Sequence, residues 1–336
     1  MKPYAIFAAG EKEIKNAYGE DTVSTLSEKL ELLPGFYTAD VLRNGTAHEE
    51  LKDVEFIFST WGMPALSEEE IKTLLPSLKA IFYAAGTVQA FARPFMKRGV
   101  KIYSAWGANG VPVAEYTVAQ IILANKGFFQ TMHKGAAPEW TERNVKAPCP
   151  GNYGTSVGII GAGMIGTMVI ERLRGYKLDV KVFDPFMTYE RAGKLGVEKL
   201  ESLPELFESC HVISNHLANN PQTVGMINKS CFDRMADDAV FLNTGRGAQV
   251  VEADMISALK EKPGRAAVLD VTWPEPPEKD SELYTMSNII LSPHIAGSLG
   301  GEIARMGEYM LDEFTLYYSG KPTRYEVTEK MLETMA

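Results

Sequence analysis

The stretch "GIIGAGMIG", Gly158 to Gly166, carries glycines at positions 161, 163 and 166, between a candidate strand and a candidate helix. It completes "SVGII", an apolar and β-branched run that predicts a strand. It also opens "MIGTMVIERLRGY", where Ile165, Val169 and Leu173 recur at helical spacing. In a strand–turn–helix of this kind Gly161 permits the tight turn, Gly163 lets the backbone approach a pyrophosphate, and Gly166 lets helix and strand pack closely. Phosphates then meet free N–H groups and the positive end of the helix dipole. Glycine-rich turns also arise for steric reasons alone, so the pattern needs support from its surroundings.

That support comes from the next strand, "LDVKVF", which places Asp184 at its C-terminal tip. A carboxylate there accepts both ribose hydroxyls and repels a 2′-phosphate, so NAD rather than NADP is expected. The ordinary alternative is an Asp that caps the turn before Pro185. Further runs follow: "HVISN" to Asn215, "AVFLN" to Asn243, "AAVLDV" to Val271 and "NIILS" to Ser292. Six apolar runs separated by helix-like segments predict a doubly wound parallel sheet, covered on both faces.

The N-terminal third shows a smaller series, "YAIFAA", "YTADVL", "VEFIFS", "LKAIFYA" and "VKIYSA", with polar helical stretches such as "SEEEIKTLLPSL" between. It predicts a second α/β unit. Pro112 in "VPVAEYTVAQIILANKGFF" stands where a connecting helix would start. Near the end of the chain, Ile303, Met306, Met310, Leu311 and Phe314 form one apolar stripe, expected to pack back on the first unit.

Composition narrows the function. A formal charge of -9 leaves no electrostatic footprint for nucleic acid. No basic amphipathic stretch suits a membrane surface, and the apolar start "YAIFAA" is too short for a secretory core or a span. Cys149, Cys210 and Cys231 are unpaired in number and spacing, for which a reduced, cytoplasmic protein is the simplest account. No zinc-type Cys/His cluster is visible, so no metal is expected.

Ligands of open parallel sheets bind outside the carboxyl ends of the strands. Three unusual residues fall there: Arg246 in "LNTGRGAQ", Glu275 in "DVTWPEPP" and His294 in "LSPHIAG". The arginine can hold a carboxylate through two parallel charge-assisted hydrogen bonds. The histidine can give a proton to a carbonyl oxygen, or take one from a hydroxyl, while the glutamate orients the ring and stabilises imidazolium. Singly, each has an ordinary use as a turn, loop or capping residue; three at successive strand ends suit the reduction of a 2-oxo acid.

With "VGIIGAGMIG", "VFDPF", "FLNTGRGAQVVE", "LDVTWPEPP" and "SPHIAG" in this order, the chain resembles the D-isomer-specific 2-hydroxyacid dehydrogenases. The resemblance implies a Rossmann-type domain, 113–296 with a connecting helix over 113–130, inserted into a smaller flavodoxin-like α/β substrate domain, 1–112 and 297–336. It implies NAD as cofactor, a small 2-oxo or 2-hydroxy acid as substrate, and a homodimer. Arg246, Glu275 and His294 then take the catalytic roles described. The backbone at Met164 and Ile165 meets the pyrophosphate; His216, Ala218 and Thr223 border the adenosine half; Thr244, Gly245 and Arg246 line the nicotinamide side. Asp270 accepts from the carboxamide, its alternative being a strand-end turn acid.

One departure concerns the substrate. The family's loop after Gly86 usually has a second glycine and an aspartate, where this chain has Val88 and Ala90 in "AAGTVQAF". The backbone of Thr87 and Val88 can still donate to a substrate carboxylate, and Gly86 beside them is counted with the substrate-binding residues. Trp61 in "STWGMP" and Trp140 in "APEWTERN" are candidates for the substrate side chain's surroundings, against core or interface packing. Two other functions fit the same fold: an NAD-sensing regulatory protein, and a formate-type dehydrogenase, in which an amide usually replaces the carboxylate at 275.

Overall fold

The computed structural model describes residues 2–44, 48–132 and 149–333, so Trp140 lies outside the described residues. The chain divides into two compact units, Met1–Gly110 with Ser298–Ala336, and Val111–Gly297.

The first unit is built on β1 (Tyr4–Phe7), β2 (Glu31–Phe36), β3 (Val54–Ser59), β4 (Ala80–Tyr83) and β5 (Lys101–Ser104). They pair in parallel in the order β5-β4-β3-β1-β2, a flavodoxin-like winding, and the short strand Glu326–Val327 adds antiparallel beside β5. Alternate residues serve opposite faces. Ile6, Ile57, Ile81 and Ile102 join one apolar layer with Phe91 and Phe95. Phe56, Phe58, Phe82 and Tyr103 face the other, against Met306, Met310 and Phe314 of the helix Gly301–Tyr318. The apolar stripe near the end of the chain thus packs on this unit, as its spacing predicts.

Two expectations are corrected here. "YTADVL" does not form a strand: residues Ala39–Asn44 are helical, with Leu42 buried and Val41 exposed. The strand is the preceding "ELLPGF", whose Pro34 and Gly35 disguise it and which lies at the sheet edge, where a missing N–H is tolerated. The connecting helix also starts earlier than Pro112 suggests. It spans Trp106–Ala124 directly after β5, with Pro112 inside and one hydrogen-bonded rung forgone. The polar stretch at Ser67 is a helix, Glu68–Leu74, opened by a capping box between Ser67 and Glu70.

The second unit contains β6 (Tyr153–Ile160), β7 (Lys177–Phe183), β8 (Glu198–Leu200), β9 (Val212–Asn215), β10 (Val240–Asn243), β11 (Ala266–Leu269) and β12 (Ile289–Leu291). All are parallel, in the order β8-β7-β6-β9-β10-β11-β12. The winding reverses between β6 and β9, which opens a crevice at their carboxyl ends. Phe207, Phe232 and Phe241 dominate the apolar layer on one face; Val157, Ile159, Val182 and Val240 meet Val169 and Leu173 on the other.

Candidate active site

At the end of β6 the chain turns through Gly161, whose φ of 82° lies in the left-handed region. A Cβ on Gly166 would stand 2.1 Å from the Gly161 carbonyl oxygen, so only glycine allows the helix Met164–Leu173 to start this close to the strand. That helix has no side chain capping its N-terminus. Among the described residues the N–H groups of Gly163, Met164 and Ile165 have no acceptor outside the helix, and a Cβ on Gly163 would point into open space. Uncapped donors facing free space suit a pyrophosphate.

Asp184 sits at the tip of β7 with its carboxylate largely buried. Oδ2 accepts from Ala162 N at 2.7 Å and Oδ1 from Phe186 N at 2.8 Å. The carboxylate therefore ties the glycine turn to its own turn, and each oxygen keeps a lone pair for a ribose hydroxyl. Arg191 braces the same turn, donating to Ala162 O at 2.7 Å and Thr167 Oγ1 at 2.9 Å.

The carboxyl ends of β9 and β10 hold a buried amide network that sequence reasoning missed. Asn215 Nδ2 donates to Asn243 Oδ1 at 3.0 Å and to Gln249 Oε1 at 2.6 Å. Gln249 Nε2 donates to the carbonyls of Leu217 and Ala218, both at 2.9 Å, and its Oε1 receives Arg246 N at 3.3 Å. Gly245 N reaches Asn243 Oδ1 at 3.1 Å. One set of amides thus fixes both the segment from His216 to Ala218 and the Gly245–Arg246 turn. Strand-end "N" residues and the Gln were the only signal. Thr223 Oγ1 closes the first loop by donating to Ala218 O at 2.7 Å, and Thr244 Oγ1 lies 3.2 Å from Thr117 Oγ1. His216 is bonded to Ser214 Oγ at 2.9 Å, and burial pushes its pKa down to about 4, so the ring is neutral.

Arg246 donates from Nη1 to Gly245 O at 2.7 Å. Burial lowers its pKa, and the negative charge of Glu275 opposes that shift. His294 Nδ1 and Glu275 Oε1 are 2.6 Å apart, and among the described residues Nε2 has no partner. The histidine backbone has a φ of 54°, unusual for a residue with a side chain. Asp270, buried at the end of β11, holds this loop: its carboxylate accepts from Ser292 Oγ at 2.6 Å, Ile295 N at 2.9 Å and Ala296 N at 2.8 Å. Three protein donors leave about one lone-pair position for any carboxamide.

In the first unit, Trp61 follows β3 and is 42% exposed. Gly86 and Thr87 follow the neighbouring β4, and the two strand ends are tied by Thr60 Oγ1 donating to Ala84 O at 2.8 Å. The Val88 side chain is fully buried in the core. Among the described residues the N–H groups of Gly86, Thr87 and Val88 have no acceptor, which leaves three donors on one loop. Among the described residues no cluster of His, Cys, Asp or Glu is placed to hold a metal ion, and no helix is long and apolar enough to cross a membrane. All three cysteines are free thiols.

A doubly wound parallel sheet with an uncapped glycine turn at its switch point defines a dinucleotide-binding domain. Residues 118–296 match the model of the "D-isomer specific 2-hydroxyacid dehydrogenase, NAD binding domain", more than half of the chain. The chain belongs to this family, and NAD is its cofactor. D-3-phosphoglycerate dehydrogenase of Archaeoglobus fulgidus is 30% identical over 237 residues, covering 70% of this chain and 44% of that protein. The Methanocaldococcus jannaschii protein of the same name is 29% identical, covering 83% and 52%. The chain therefore spans about half the length of these curated relatives. Among solved structures, holo D-mandelate dehydrogenase of Rhodotorula graminis superposes with a TM-score of 0.81 at 21% identity, covering 98% of this chain and 99% of that one. A glyoxylate reductase from Paecilomyes thermophila reaches 0.76 at 22% identity, covering 98% and 100%. At such identities the likeness is one of fold.

Proposed function

We propose that this protein is an NAD-dependent oxidoreductase interconverting a small 2-oxo acid and its D-2-hydroxy acid. The observation that carries this is the 2.6 Å pair between Glu275 Oε1 and His294 Nδ1, which leaves Nε2 as the nitrogen free to exchange a proton. NADH, when bound, supplies the hydride. His294 gives its Nε2 proton to the carbonyl oxygen in reduction and takes it back in oxidation. Glu275 keeps the ring in one orientation and stabilises imidazolium. The Arg246 guanidinium pairs with the substrate carboxylate and fixes the carbonyl carbon. The backbone donors of Met164 and Ile165 hold the pyrophosphate, and Asp184 the ribose. On the first unit, Gly86 and Thr87 offer N–H groups for a carboxylate, with Val88 anchoring the loop in the core, and Trp61 offers an apolar wall.

The test is to mix the purified protein with NADH and glyoxylate, hydroxypyruvate, pyruvate or phenylpyruvate, with a parallel arm of NAD and formate. Loss of the NADH absorbance with a 2-oxo acid is expected. NADH binding without turnover of any acid would favour a regulatory binding protein, and reduction of NAD by formate the formate-type reaction. His294→Ala should lower kcat by roughly 10²- to 10⁴-fold with NADH affinity kept; a normal rate would remove the histidine from proton transfer.

A further inference from the structure

We propose that Tyr116, on the helix Trp106–Ala124, is a positioning residue that sets the His294 loop through Ser292 and Asp270. The inference rests on the proton-transfer role given above to His294. Its basis is a chain of hydrogen bonds whose direction the chemistry dictates. The Asp270 carboxylate can only accept, so the Ser292 hydroxyl spends its one proton on Oδ1, at 2.6 Å. The 2.8 Å contact between Ser292 Oγ and Tyr116 Oη must then run from the tyrosine to the serine.

Beyond Asp270 the chain divides around the histidine. His294 N donates to the Asp270 carbonyl and the Ser292 carbonyl, both at 3.0 Å. The next two amides, Ile295 N and Ala296 N, both end on the Asp270 carboxylate. Residue 294 is thereby held at its left-handed φ of 54° from both sides. Without the Tyr116 hydroxyl, Ser292 loses its donor and can turn away from Oδ1, and the loop loses one of three ties on that carboxylate. The Nε2 atom then spreads over more positions, and proton transfer suffers more than binding.

The experiment compares Tyr116→Phe, Ser292→Ala and Ser292→Thr in the whole protein. Hydrogen exchange in the apo form is read at Ile295 and Ala296, and glyoxylate reduction is read beside it. Tyr116→Phe and Ser292→Ala should each speed exchange at these two amides by about 3- to 10-fold, with strand β6 unchanged, while Ser292→Thr restores protection. In turnover, kcat should fall by about the same factor with KM for NADH kept, and the double variant should be no worse than Ser292→Ala alone. In a His294→Ala background Tyr116→Phe should change kcat by less than about two-fold, because it acts through the missing ring. Unaltered exchange at both amides, or an equal kcat loss in both backgrounds, would overturn the inference. A fully active His294→Ala would instead overturn the function on which it rests. Unaltered exchange in Ser292→Ala would overturn the inference even if Tyr116→Phe does not fold, because Tyr116 acts only through that hydroxyl.

Discussion

His216 shows how much one side chain's surroundings matter. Its ring lies against the fully buried Ser214, and burial lowers its pKa from 6.5 to about 4. Between those values the unfolded chain binds a proton that the folded protein refuses. The ring's contribution is therefore fully present above about pH 6.5 and is lost progressively down to about pH 4. Urea unfolding of the apo protein should show a midpoint falling between pH 7 and pH 5, with a shallower fall in His216→Gln. Equal slopes would mean that the ring titrates normally. Neither this nor the role of Asp270 could be read from residue order. A histidine after a strand is legible as a site candidate, but its burial depends on Ser214 and the crossing strands. Likewise Asp270 was legible as a strand-end acid, while the three donors that engage it come from a loop more than twenty residues away.

At the scale of elements, legibility followed burial. β9, β10 and the second half of β6 are nearly continuous buried runs because helices cover both faces of their sheet, while β7 alternates lysines and an aspartate with apolar residues; the C-terminal tips of all four were read correctly. The edges were not. β8, only "EKL", carries no pattern, and β2 hides behind Pro34 and Gly35. The Asn215–Asn243–Gln249 network escaped for a related reason: its members sit on separate strand ends, and sequence periodicity says nothing about which amides meet. The glycine turn was fully legible because it is local. Its tightest point gives a sharp expectation: Gly166→Ala would drive a Cβ to 2.1 Å from the Gly161 carbonyl oxygen, and backbone cannot yield as a flexible side chain can. A loss of roughly 1–3 kcal/mol in denaturant unfolding is expected, with weakened NADH binding by fluorescence titration. An alanine variant with normal affinity and stability would mean that the turn relaxes freely.

The whole molecule has a discontinuous first unit, since Val111–Gly297 stands between its two segments. A ribosome that has delivered β1 to β5 has therefore made a sheet whose one face, with Phe56, Phe58 and Phe82, is covered by Tyr18 and Leu26 but still lacks the rest of its cover. Met306, Met310 and Phe314 leave the exit tunnel only after the entire second unit. At roughly 5–20 residues per second, the delay is on the order of ten seconds or more, long compared with most folding of small elements. The second unit, uninterrupted in sequence, can mature during this wait. A chain ending at Gly297 is the arrested version of that state: it should bind a dye for exposed apolar surface and aggregate, while strand β6 keeps its exchange protection. Equal solubility of the truncated and full chains would show that the sheet needs no late cover. The helix Gly301–Tyr318 is thus also a clock, and the nascent first unit has reason to meet a chaperone before its last helix arrives.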